Sequence, residues 1–232
     1  MTQEKIQIRK AGSRTGLARF RRVADAMRWK ADRDLGAEFR IDDLRHPDDP
    51  GRAADRPLLV GLLIRDALAP AWWGAQLDRV MDGRIERIPD RHSEGLERET
   101  AVFAALCLTE AGASGWRAVE GPYHDPALGP PVLRTHTAAP VHHAWLEHES
   151  GAKLDLGDRV FDRLPVTLIT PADDRHTSFG EGEEIRDIFA AAVAAAWIER
   201  LGGGLVPALR HNGAATMMPR PVVPEVDLDP TP

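Results

Sequence analysis

Apolar residues recur along this chain with two different periods, and the change between them divides it. Leu17, Phe20, Val23, Ala24, Met27 and Ala31 follow helical i, i+3, i+4, i+7 spacing, which predicts an amphipathic helix over 17–35 closed by Gly36. Residues 45–57 are a loop by composition. The run from Pro57 to Ile64 is continuously apolar, so periodicity assigns it to neither helix nor buried strand, although its leucines favour a helix. Trp72 and Trp73 follow Pro70 at an expected helix start that continues to Met81. Adjacent tryptophans cannot share one helix face, so one of them should reach another element. Ser93 is placed to cap a further helix, with Glu94 and Glu97 in its first turns. Phe103, Leu106 and Cys107 lie on one face of that helix, and Gly112 ends it.

The period then shortens to two. Residues 116–120 alternate, 121–131 are Pro- and Gly-rich, and 132–137 read as a strand. Val141 to Leu146 and Lys153 to Leu156 form a hairpin around Ser150-Gly151, and Leu164 to Thr170 is a β-branched segment. Ile185 to Leu201 is the strongest helix, with Gly202-Gly203-Gly204 as its expected end. The expected fold is α+β: an antiparallel sheet of about four strands packed by helices. Residues 17–218 form one domain, flanked by a basic N-terminal arm (1–16) and a Pro-rich acidic tail (219–232).

Composition narrows the class. Of 232 residues, 43% are hydrophobic and 28% charged, as in a soluble globular protein. No uninterrupted apolar run approaches the roughly 20 residues of a membrane span, and the first residues do not read as a secretory leader. The single cysteine, Cys107, leaves no internal disulfide and no cysteine-based zinc cage. A cytoplasmic location follows as the expectation. Arginine over lysine, together with much alanine, points to a GC-rich bacterial coding sequence. The net charge is −6, yet ten basic residues lie between Lys5 and Arg33 against Glu4, Asp25, Asp32 and Asp34. A basic arm suits an acidic protein surface or a second copy of the chain. It leaves nucleic acid open, although Phe20 and Trp29 are the only aromatics there to stack on bases.

Few residues point to chemistry. His143 begins a short alternating strand and Asp155 sits on the next one, so a carboxylate can hold the imidazole in one tautomer, the orienting half of a catalytic triad. Five of nine histidines, His124, His136, His142, His143 and His148, fall within 25 residues. Strand alternation sends His142 and His148 to one face and His143 to the other, and no paired ligand motif accompanies them. They read as hairpin histidines, with no metal expected. Residues 180–184 lack the Lys-Ser/Thr of a phosphate loop, and no Gly-x-Ser-x-Gly elbow occurs. No cofactor is expected.

The order of a helix with Phe103-Ala104, a glycine, a strand, His143-Ala144-Trp145-Leu146-Glu147 and then Asp155 resembles the transglutaminase-like branch of the papain-like superfamily. The resemblance covers about residues 93–160. It implies an amidase or acyltransferase using His143 and Asp155. The family's cysteine is missing from the helix start; matching Phe103 to the family aromatic puts Thr100 at the nucleophile position, with Cys107 two turns further as the alternative. Two readings follow. One is a transglutaminase-like enzyme with an unusual nucleophile. The other, favoured by the arm and tail, is a non-catalytic interaction or assembly protein on that scaffold.

Overall fold

The structure is a computed structural model. It describes residues 4–33, 35–36, 38–46, 48–89, 92–123, 141–157 and 164–218. Among these it is α+β, with four helices and two antiparallel sheets.

The first sheet has β1 (Ile6–Lys10) between β2 (Gly16–Phe20) and β3 (Phe39–Asp43). The expected arm therefore contains the central strand of a sheet. Ile6 and Ile8 are fully buried and join Val23, Ala26 and Met27 of α1 (Val23–Ala31) in the core. The helix expected over 17–35 is correspondingly shorter. Residues 16–20 pair with β1 in the register Ile6↔Phe20, and Leu17 points to solvent at 56% exposed. Pairing with β1 satisfies the backbone of 16–20 as well as a helix would, and the period-3.6 pattern does not exclude it.

The apolar run at 57–64 belongs to a single helix, α2 (Pro50–Met81). Pro50 occupies its first turn, where no N–H is needed, and the Asp49 side chain accepts from the Gly51 N–H at 2.8 Å. Pro57 and Pro70 lie inside it. Each removes an intrahelical bond at a cost of about 3 kcal/mol, offset by burial of Val60, Ile64, Leu68 and Trp72. The helix start expected at Pro70 is therefore absorbed into a continuous one. α3 spans Glu97–Glu110, starting after Leu96 rather than at Ser93.

The second sheet runs β7 (Thr167–Ile169), β6 (Lys153–Asp155), β5 (Val141–His148), β4 (Trp116–Tyr123), β8 (Glu183–Glu184), all antiparallel. The hairpin at Ser150-Gly151 is as expected. The strand expected at 132–137, with His124 and His136, lies outside the described residues, as does the tail. α4 spans Ile188–His211, capped by Asp187 accepting from Phe189 and Ala190, and runs through the three glycines expected to end it. Each helical glycine costs about 1 kcal/mol, but Leu205, Val206 and Leu209 beyond them are buried in the core. By length and composition alone α2 and α4 could each cross a membrane; here both contribute buried residues to the core.

Gly61 of α2 packs against Val166 and Leu156, which flank β7 and β6. A Cβ there would stand 2.6 Å from Val166 Cγ1 and 3.2 Å from Leu156 Cδ2. Alanine for glycine in a helix is ordinarily stabilising, but overpacking here reverses the sign. Gly61→Ala is expected to lower stability by about 1–3 kcal/mol, read as a lower urea midpoint at unchanged slope.

Candidate functional site

β5 is covered on both sides, and its alternation sorts the candidate residues. Ala144 packs with Ala101 and Ala118, and Leu146 with the main core containing Phe103 and Cys107. That is the α3 side. His143 and Trp145 point the other way, into a layer closed by Tyr123 and Phe179. The His143 ring centroid lies 5.8 Å from that of Tyr123, 6.4 Å from Trp145 and 6.5 Å from Phe179.

Asp155 shares this layer. The β5–β6 register, Leu146↔Leu154 and Glu147↔Lys153, puts Asp155 two residues diagonal to His143 on the same face. Its Oδ1 lies 3.1 Å from His143 Nε2, with both side chains almost wholly buried. The same Oδ1 accepts the Gly157 backbone N–H at 2.8 Å. This Asx turn ends β6 and sets the carboxylate. A Cβ at Gly157 would stand 3.2 Å from both Asp155 Oδ1 and His143 Cε1, so a side chain there would crowd the pair. Lys153, on the same face and 4% exposed, lies 5.1 Å over the Trp145 ring and 3.9 Å from Glu147 Oε1. Burial lowers its pKa, opposed by Glu147. Three further buried polar atoms, Trp145 Nε1, Asp155 Oδ2 and Thr167 Oγ1, have no hydrogen-bond partner among the described residues.

The two candidate nucleophiles lie on α3. Thr100 is buried, and its hydroxyl accepts the Trp72 indole N–H at 2.9 Å. Trp72 is thus the tryptophan that reaches another element, while Trp73 is 48% exposed. Cys107 is a fully buried free thiol. Burial, with a smaller push from Glu110, raises its pKa to about 12, so thiolate is negligible at neutral pH. A small cavity of about 10 Å³, room for about one water, is lined by Ser93, Glu97, Thr100 and Gly157 among others. Gly157 lines this cavity and also lies beside the His143–Asp155 pair. The structure therefore joins His143 to Asp155 and leaves Thr100 and Cys107 on the other side of the sheet.

Of the remaining histidines, His142 is exposed, and His148 Nδ1 lies 2.8 Å from Ser150 Oγ. Among the described residues no three His, Cys, Asp or Glu side chains converge as a metal site. Sequence reasoning missed Gly157, Phe179 and the Trp72–Thr100 bond. Only Gly157 carried a local signal, as the third residue of an Asp-x-Gly turn. Comparisons with protein-family models, curated protein sequences and solved structures find no match for this chain.

Two outcomes are expected. A thiol reagent at neutral pH labels Cys107 only when the protein is unfolded; fast native labelling would contradict its burial. Thr100→Val strands the Trp72 indole N–H and lowers stability by about 1–3 kcal/mol, measured by denaturant titration.

Proposed function

We propose that this chain is a non-catalytic interaction or assembly protein on a transglutaminase-like scaffold, acting in the cytoplasm on a protein partner or a second copy of itself. The observation that supports this reading is the separation of His143 from both candidate nucleophiles. Thr100 is bonded to Trp72 on the α3 side, and Cys107 is a buried thiol with its pKa pushed to about 12. Among the described residues neither candidate nucleophile shares the layer of His143, and a base needs a nucleophile within reach to perform acyl transfer.

Contact surface is available elsewhere. Ile188 and Phe189, at the start of α4, are each 75% exposed, and adjacent exposed apolar side chains of this size suit a protein interface. The tail 219–232 adds a segment whose prolines reduce the entropy lost on ordering. The basic N-terminal region leaves Arg14, Arg21 and Arg22 exposed, for an acidic protein surface or nucleic acid.

The alternative is a transglutaminase-like amidase or acyltransferase. Its support is the 3.1 Å His143–Asp155 contact beside Trp145 Nε1, Asp155 Oδ2 and Thr167 Oγ1, which have no hydrogen-bond partner among the described residues. Buried polar groups without partners cost stability, and proteins tolerate them chiefly where function requires them.

Light scattering on the full chain tests the first reading. Ile188→Glu with Phe189→Glu is expected to dissociate a homo-oligomer, or to abolish capture of a protein partner, without changing the circular dichroism. Amide hydrolysis or acyl transfer that is abolished by His143→Ala, with association untouched by the α4 pair, would instead establish the enzyme.

A further inference from the structure

A groove of about 1050 Å³ lies between the first sheet, α2 and α4, above the usual volume of a small-ligand pocket. Its floor is apolar, with Leu59, Leu62, Leu63, Leu201 and Leu205. Among the described residues its walls carry six basic side chains, Arg9, Arg14, Lys30, Arg40, Arg52 and Arg56, against four carboxylates. Two of those carboxylates are already engaged. Asp42 accepts from Arg9 at 2.7 Å, and Asp43 is held by Arg45, which does not line the groove. Lys30 is only 12% exposed, and its Nζ lies at the long distance of 4.0 Å from Asp66 Oδ1. Burial lowers the pKa of Lys30 and raises that of Asp66, so an additional carboxylate beside the ammonium would favour its charged form. A basic-walled, apolar-floored groove on a chain of net charge −6 selects a ligand that is both acidic and apolar.

The chain itself carries such a segment, and it starts at the groove's rim. Arg56 and Asn212 line the groove, and Arg56 Nη1 donates to the Thr216 carbonyl at 3.0 Å and to its hydroxyl at 2.6 Å. Residues 219–232 follow within three positions. They combine Glu225, Asp227 and Asp229 with Val222, Val223, Val226 and Leu228. At about 3.1 Å per residue for a Pro-rich chain, fourteen residues reach about 43 Å, enough to cross a groove of this volume. We propose that residues 219–232 of the same chain dock in this groove, carboxylates against its arginines and lysine and aliphatic side chains on its leucine floor. This inference goes beyond the function proposed above, because it concerns how the tail is held or released. It stands whether the scaffold is catalytic or not.

The test uses the full chain with Thr231→Cys carrying a nitroxide, Cys107 being buried, and reads the amide signals of Arg9, Arg40 and Leu63. Docking is expected to weaken these signals by about twofold or more at about 0.1 M salt, and about 1 M salt, which shortens the screening length to about 3 Å, to restore them in part. Reversing Glu225, Asp227 and Asp229 to lysine should restore them fully, and these changes lie outside the described fold. Isotope-labelled chain mixed with spin-labelled unlabelled chain should show no broadening. The proposal is overturned if the groove signals are unaffected, if charge reversal leaves the broadening in place, or if the mixed sample broadens as well, which would mean docking between copies.

Discussion

Burial of β5 on both faces is the constraint from which the rest of the second sheet follows. A one-residue slip in a strand exchanges its two faces. Here a slip would push His143 into the apolar layer beneath α3 and bring Ala144 under Tyr123 and Phe179, leaving a buried polar group on one side and a void on the other. The register with β4, Gly121↔His143 and Val119↔Trp145, is thereby held, and it carries β6 and Asp155 into place. The same alternation assigns Thr100 and Cys107 to the far side.

The layer around His143 is costly in a way the helix side is not. It brings an imidazole, a carboxylate, an ammonium and three polar atoms without hydrogen bonds among the described residues into a region closed by aromatic rings. Replacing one partner of a buried polar pair leaves the other desolvated without it, so His143 and Asp155 are tied to each other whatever chemistry they serve. On the helix side every candidate has an ordinary structural use. Thr100 satisfies an indole N–H, and Cys107 behaves as a small apolar residue.

The first sheet contributes in a different way. Ile6 and Ile8 join it to the main core through α1, while the Gln7–Arg9 face opens on the groove with α2 and α4. Three of the basic residues before residue 34, Arg9, Arg14 and Lys30, therefore line the wall of a concave surface, not a projecting arm. Charge that reads as a run in one dimension becomes a binding surface only once the strands are paired.

Much of the second sheet was legible in the chain. Period-two alternation marked β4, β5 and β6, Ser150-Gly151 marked their turn, and the spacing of His143 and Asp155 foretold their contact, because a hairpin converts sequence separation directly into cross-strand distance. The core face of α3 was readable in part, since Phe103 and Cys107 are buried but Leu106, assigned to the same face, is 41% exposed. Other features depended on partners remote in sequence. Residues 16–20 are a strand because β1 supplies hydrogen bonds, α2 and α4 continue through prolines and glycines because residues beyond them are buried, and the groove exists only where three elements meet. Which side of the sheet α3 covers, and hence whether Thr100 or Cys107 could serve His143, is a matter of layer packing. Local periodicity says that a strand has two faces; only the tertiary structure decides which face meets which helix.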